Sequence, residues 1–159
     1  MFQKTRIVPK GVPKMNMHQI FGQKQNKQYI HRSGAYLIAV RDNKVAVVRT
    51  PKGLFLPGGG MEPGETEEQT IQRECLEETG YRVHVQKYLC SAEAYIEHPE
   101  IGHFHPIQSY YLGEFLFREQ DPTEQDHQLE WIEYEKLKGN LFPEMQNWAL
   151  EMKSDALGK

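Results

Sequence analysis

GGMEPGETEEQTIQRECLEETGY, residues 59–81, decides how this chain is read. Glu74, Glu77 and Glu78 fall at i, i+3 and i+4, so a helix stacks all three carboxylates on one face. Like charges at that spacing repel and cost helix stability, so the cluster makes most sense around something positive. A hard divalent cation such as Mg²⁺ prefers carboxylate oxygens and is commonly shared with substrate phosphates. The flanks agree with a helix entered from a tight loop. Leu56-Pro57-Gly58-Gly59-Gly60 lets backbone approach a metal or phosphate closely. Thr66 and Gln69 predict a capping box, and Gly80 a left-handed stop after Thr79. Arg73 is expected to pair with Glu77 four residues on, and Ile71 and Cys75 to face the core. Glu67 and Glu68 read as a solvated face.

The segment resembles the Nudix box, G-x5-E-x7-R-E-U-x-E-E-x-G-U with U apolar. The matching positions are Gly59, Glu65, Arg73, Glu74, Cys75, Glu77, Glu78, Gly80 and Tyr81. Cys75 and Tyr81 stand where an aliphatic residue is usual. The resemblance implies an α/β fold, the Nudix-type α/β/α sandwich with a mixed β-sheet, box helix on one side and terminal helix on the other. It also implies a metal-dependent hydrolase that cleaves the pyrophosphate bond of a nucleoside diphosphate linked to another group. The cofactor would be Mg²⁺, with Mn²⁺ as a substitute. By motif position the metal ligands are Glu74, Glu78, Glu77, Glu65 and the backbone carbonyl of Gly58. Glu74 is the expected general base and Arg73 orients a carboxylate. Glu124 and Asp126 are later acids that could take the base's place. Substrate contacts are expected from Arg49, Gly59, His103, His105 and Glu124.

At 159 residues the chain suits one domain with a real core. No acidic residue precedes Asp42, whereas Lys4, Arg6, Lys10, Lys14, Lys24, Lys27, Arg32 and Arg41 do. Residues 1–16, broken by Pro9, Gly11 and Pro13, read as a flexible basic arm, and 17–159 as the hydrolase domain. No apolar stretch approaches membrane-spanning length and two cysteines make no disulfide framework. The expected location is cytoplasmic, and the expected partner a small phosphorylated molecule, with no membrane or nucleic-acid polymer. A homodimer is expected only by analogy with relatives.

Asp42-Asn43 predicts a hairpin between Gly34–Val40 and Val45–Val48. Further strands are expected at Leu54–Leu56, within Tyr81–Ala94, at Ser109–Phe117 with Gly113 as a bulge, and at Glu130–Ile132. A second helix follows Pro143, with Met145, Trp148, Ala149, Met152 and Ala156 as its buried stripe. Residues 97–106, rich in His, read as a mobile loop bordering the substrate pocket rather than a zinc site, because their spacing fits no short zinc pattern. Tyr95, Tyr110 and Tyr111 read as strand residues and as candidates for stacking on a base. Two other readings share the fold. A non-catalytic nucleotide-sensing module would normally lose box glutamates, and this chain keeps them. A prenyl-diphosphate isomerase would need a catalytic cysteine outside the box, for which only Cys90 remains.

Overall fold

The computed structural model describes residues 17–156, so the basic arm proposed for 1–16 lies outside the described residues. Two sheets carry the fold. The larger is mixed and contains β1 (His18–Phe21), β7 (Tyr81–Ala94), β9 (Gly102–Arg118), β2 (Ile30–Ile38) and β6 (Gly58–Gly60), in that spatial order, with β8 (Ile96–His98) added to β9. The β1–β7 and β2–β9 pairs are parallel, the others antiparallel. The smaller sheet is antiparallel and holds β10 (Gln128–Glu133), β4 (Lys44–Thr50), β3 (Val40–Arg41) and β5 (Gly53–Phe55).

The expected hairpin exists, but its first strand is divided between sheets. Gly34 to Ile38 belongs to β2 and pairs with β9, while Val40 and Arg41 pair with β4. Asp42 and Asn43 turn the chain with φ of 53° and 64°, a left-handed pair that short polar side chains tolerate. Alternation along these strands feeds two cores. Val45 and Val47 enter one together with Tyr110, Trp148 and Leu150. Ala46 enters the other with Leu37, Ile71, Cys75 and Phe115.

Those cores sit under different helices. α1 (Glu67–Thr79) covers one face through Ile71 and Cys75, both fully buried. α3 (Glu144–Ala156) covers the other through Met145, Trp148, Ala149 and Met152; the Ala156 side chain lies outside the described residues. A short α2 (Tyr134–Leu137) joins β10 to the loop before α3. This is the expected α/β/α sandwich. Truncating Ile71 to alanine would cost roughly 2–5 kcal/mol, the usual range for emptying a packed aliphatic site.

The strands depart from expectation in two places. β7 is one long strand with register shifts at Arg82/Val83, Val85/Lys87 and Tyr88/Cys90, so the irregularity opposite Gly113 belongs to β7. Gly113 is required there by close approach, since a Cβ would lie 2.4 Å from the His84 carbonyl oxygen. The His-rich stretch is a β-hairpin rather than a mobile loop: β8 runs into the turn at 99–101 and β9 starts at Gly102. Parallel pairing of residues 104–106 with 30–32 holds it to the sheet, a long-range contact that local turn signals do not reveal.

Candidate active site

The glycine segment is a strand, β6, held from three directions. The Leu56 N–H donates to Gln146 Oε1 on α3 at 2.7 Å. The Leu37 N–H donates to the Pro57 carbonyl at 2.8 Å. Gly58, Gly59 and Gly60 then pair with Tyr36, Ala35 and Gly34. Side chains are excluded here by contact. A Cβ at Gly58 would lie 2.3 Å from the Ala35 carbonyl oxygen, and one at Gly59 would lie 2.4 Å from Glu74 Oε2. The backbone therefore runs directly against the box carboxylates.

Helix α1 begins as its sequence dictates. Thr66 Oγ1 accepts from the Gln69 N–H at 3.1 Å, and Gln69 Oε1 accepts from the Thr66 N–H at 2.9 Å, completing the capping box. Gly80 ends the helix at φ 81°. Glu67 is not a solvated residue: it accepts from Ser109 Oγ at 2.7 Å and from the Tyr111 hydroxyl, which fastens the first turn to β9. Burial first, then the carboxylate of Glu67, pushes the Tyr111 hydroxyl well above its usual range.

Arg73 organises the carboxylates, and its main partner is Glu65 rather than Glu77. Nε and Nη2 of Arg73 donate to Glu65 at 2.6 and 3.0 Å, a two-pronged charge-assisted pair. Nη2 also donates to the Gly60 carbonyl at 2.9 Å, tying the helix to β6. Nη1 reaches Glu74 and Glu77, both at 3.3 Å. Glu65 additionally accepts from Thr70 Oγ1 at 2.8 Å and the Glu62 N–H at 2.9 Å. Arg73, then the Glu62 backbone, hold its carboxyl down at about 2. With its oxygens so engaged, Glu65 is the anchor of Arg73.

Glu78 is the unusual member. Its side chain is only 11% exposed, yet among the described residues no Lys or Arg pairs with it. The Gly58 N–H donates to Oε1 at 3.1 Å, and His127 Nε2 stands 4.0 Å from Oε2. Burial pushes its carboxyl well above the usual range; the Gly58 hydrogen bond opposes this, and Glu74, Glu124 and Glu77 reinforce it. Glu74 is also raised by burial, against the pull of Arg73 and with the repulsion of Glu77 and Glu124. The charges of Glu77 and Glu124 thus oppose the ionisation of both Glu74 and Glu78.

Glu124 joins this group because its loop is sewn to α1. The N–H groups of Thr123 and Glu124 donate to the Glu77 carbonyl at 2.9 and 3.2 Å, and those of Glu119 and Gln120 to the Gly80 carbonyl at 2.8 and 3.2 Å. The free carbonyls at a helix C-terminus are what recruit the loop. Asp126 and His127, on the same loop, line a cavity of about 490 Å³ together with Glu78, Gly58, Tyr36 and Lys52.

An all-oxygen donor set of this kind suits Mg²⁺. Among the described residues no three His, Cys, Asp or Glu side chains already form a finished ion cage. Mg²⁺ needs none, because it keeps waters and borrows phosphate oxygens. The buried Glu78, with no Lys or Arg partner among the described residues, and the close pass of Gly59 over Glu74 both fit an ion in this place.

Other expected contacts fall elsewhere. Arg49 is exposed near the end of β4, between β10 and β5, with Nη2 donating to Glu130 Oε1 at 3.1 Å, and does not line this cavity. His103 packs edge-on against Tyr29. His105 is buried, bonded to Glu93 at 2.7 Å and stacked on Tyr95. Neither histidine lines the cavities. Tyr110 is fully buried and donates to Gln108, so it is a core residue. Cys90 is also fully buried and its thiol is pushed up to about 12 by burial, which disfavours the thiolate that isomerase chemistry would use. Sequence reading missed Tyr36, Lys52 and His127; only the adjacency of His127 to Asp126 offered a signal.

A family model described as NUDIX domain matches residues 30–154. A nucleoside triphosphatase NudI of Enterobacter sp. (strain 638) is 43% identical over 56 residues, covering 35% of this chain and 38% of that protein, so the match spans well under half of the relative. Among solved structures, a MutT NUDIX hydrolase from Burkholderia pseudomallei superposes with a TM-score of 0.63 at 25% identity, covering 77% of this chain and 98% of that one. A NUDIX hydrolase from Nitrosomonas europaea superposes with a TM-score of 0.66 at 19% identity, covering 78% and 88%. Since the family match takes in most of the sequence, box and flanking sheets alike, this chain belongs to the Nudix hydrolase family.

Proposed function

We propose that this protein is a Mg²⁺-dependent pyrophosphohydrolase acting on a nucleoside diphosphate linked to a further group. The observation that carries the reading is Glu78: a buried carboxylate with no Lys or Arg partner among the described residues, bonded to the Gly58 N–H and facing a cavity. Glu78, Glu77 and the Gly58 carbonyl would hold the ion, with Glu74 beside them. When bound, Mg²⁺ would offset the phosphate charge and acidify a water. Mn²⁺ would substitute.

The chain's own residues supply position and proton transfer. Arg73 fixes Glu74 and Glu77 through Nη1 and grips β6 through Gly60. Glu74, with a carboxyl raised by burial, takes the proton as water attacks one phosphorus of the P–O–P bridge. A new P–O bond forms, the bridging P–O bond breaks, and the leaving phosphoryl fragment departs with the bridging oxygen. Glu124 lends further negative charge from the docked loop. The name of the curated relative, a nucleoside triphosphatase, supports nucleoside triphosphates as the first substrates to try.

The test is release of phosphate or pyrophosphate from nucleoside triphosphates, nucleotide sugars and dinucleoside polyphosphates, with and without Mg²⁺. Metal-dependent turnover of at least one class is expected. Tight nucleotide binding with no turnover across the panel would overturn the hydrolase reading in favour of a nucleotide-sensing module.

A further inference from the structure

Beside the carboxylate site lies a second cavity of about 360 Å³, on the Gly60 side of β6. The two share Tyr36 and Lys52 in their walls, so they adjoin across the glycine strand. Their charge balance differs. The first presents Glu78 and Asp126 beside His127 and the shared Lys52. The second presents Arg32, Lys52 and His98 against a single acid, Glu100.

Arg32 stands apart among the described arginines. Arg49, Arg73, Arg82 and Arg118 each hold a carboxylate, and Arg41 donates to the Phe115 carbonyl and lies over Trp131. Arg32 has no such partner, and its stem lies 3.5 Å from where a Gly60 Cβ would be. Lys52 likewise pairs with no acid among the described residues; its backbone N–H, not its ammonium, is the group bonded to Thr50. His98 adds a donor. Its Nδ1 accepts from the Glu100 and Ile101 N–H groups at 3.1 and 3.2 Å, which leaves Nε2 as the nitrogen that carries the proton.

Three donor groups without acidic partners therefore gather in one wall, two of them permanently charged in neutral solution. An arginine fork and a lysine point charge are a usual pair for a phosphoryl group. We infer that this cavity is a phosphate-binding subsite for the part of the substrate beyond the scissile diphosphate, with Arg32, Lys52 and His98 as its recognition residues. The substrate class this favours carries a further phosphoryl group, either as a polyphosphate tail or on a second phosphorylated moiety, over a nucleotide joined to a neutral sugar. The inference rests on the hydrolase reading only for the word substrate; the subsite itself is testable without turnover.

Two experiments separate the two readings. In metal-free protein, inorganic pyrophosphate is titrated while backbone amide resonances are followed. Shifts are expected at Gly60, His98 and Ile101, with affinity falling about tenfold in Arg32→Gln, the scale of one lost charge-assisted contact. Absence of shifts at these residues, or equal affinity in the variant, overturns the subsite whether or not the protein hydrolyses anything. In the second experiment kcat/KM is compared between a dinucleoside polyphosphate, a nucleoside triphosphate and a nucleotide sugar. Arg32→Gln is expected to lower the ratio of either phosphoryl-rich substrate to the sugar about tenfold. A fall confined to the triphosphate identifies the tail as the source, and one confined to the dinucleoside compound identifies the distal moiety. An unchanged ratio for both overturns the inference while leaving the hydrolase reading standing.

Discussion

Two clusters of ionisable side chains in this fold are satisfied in opposite ways. Around Glu93 every charge finds its complement inside the chain. Glu93 Oε2 lies 2.6 Å from His18 Nε2, and Oε1 lies 2.7 Å from His105 Nε2. His18 Nδ1 meets Ser91 Oγ and His105 Nδ1 meets His31 Nδ1, both at 2.6 Å. Burial alone would push Glu93 up, but hydrogen bonds from His18 and His105 outweigh it and hold the carboxyl below its usual range. Around Glu78 the balance is reversed: burial and neighbouring carboxylates win over one backbone N–H. A closed cluster is a clasp, here joining β1, β7, β9 and β2. An open one stores a demand for positive charge, which is the signature of a binding site.

The sharpest way to break the contrast is Glu78→Gln. Turnover is expected to fall by about a thousandfold or more, as for loss of a group stabilising the transition state, with the far-UV spectrum and melting temperature retained. Near-normal rates would remove Glu78 from the site. Arg73→Ala comes next. It frees Glu65, Glu74 and Glu77 together and cuts the link to Gly60, so activity should drop about a hundredfold, the scale of a misplaced catalytic group, and the melting temperature by several degrees. Melting curves alongside the assay check both.

Glu93→Gln should show the opposite profile. It loosens β1 and lowers the melting temperature while kcat changes less than about threefold, because no part of the clasp lines the carboxylate cavity. A large fall in kcat would join the two clusters functionally. The smallest effect expected is from acid titration of Glu65. Its folded carboxyl titrates at about 2, below its ordinary 4.5. The stability it contributes is therefore complete above pH 4.5 and is lost as pH falls through about 2. Melting temperature against pH should fall less steeply in that window for Glu65→Gln than for the wild type.

Much of the open cluster was legible in the chain, and little of the closed one. Thr66, Gln69 and Gly80 mark the helix because capping is local chemistry, and the spacing of Glu74, Glu77 and Glu78 fixes their shared face. The pair of Arg73 with Glu77 is present as the spacing predicts, while its closer partner, Glu65, is returned to it across a turn. The stripe on α3 was readable for the same local reason as the caps. His105 and Glu93 are twelve residues apart and His18 is seventy-five from Glu93, so their meeting depends on strand pairing, antiparallel between β7 and β9 and parallel between β1 and β7, that no short window contains. The place of Glu124 likewise depends on a loop docking onto helix carbonyls.

Titration calorimetry with Mn²⁺, on the wild type and on Glu78→Gln at neutral pH, tests the central claim most directly. The account predicts a site in the wild type that weakens at least tenfold in the variant, the scale of one lost charged ligand, with the melting temperature of the wild type rising as the ion is added. Equal Mn²⁺ affinity in the two proteins would contradict it.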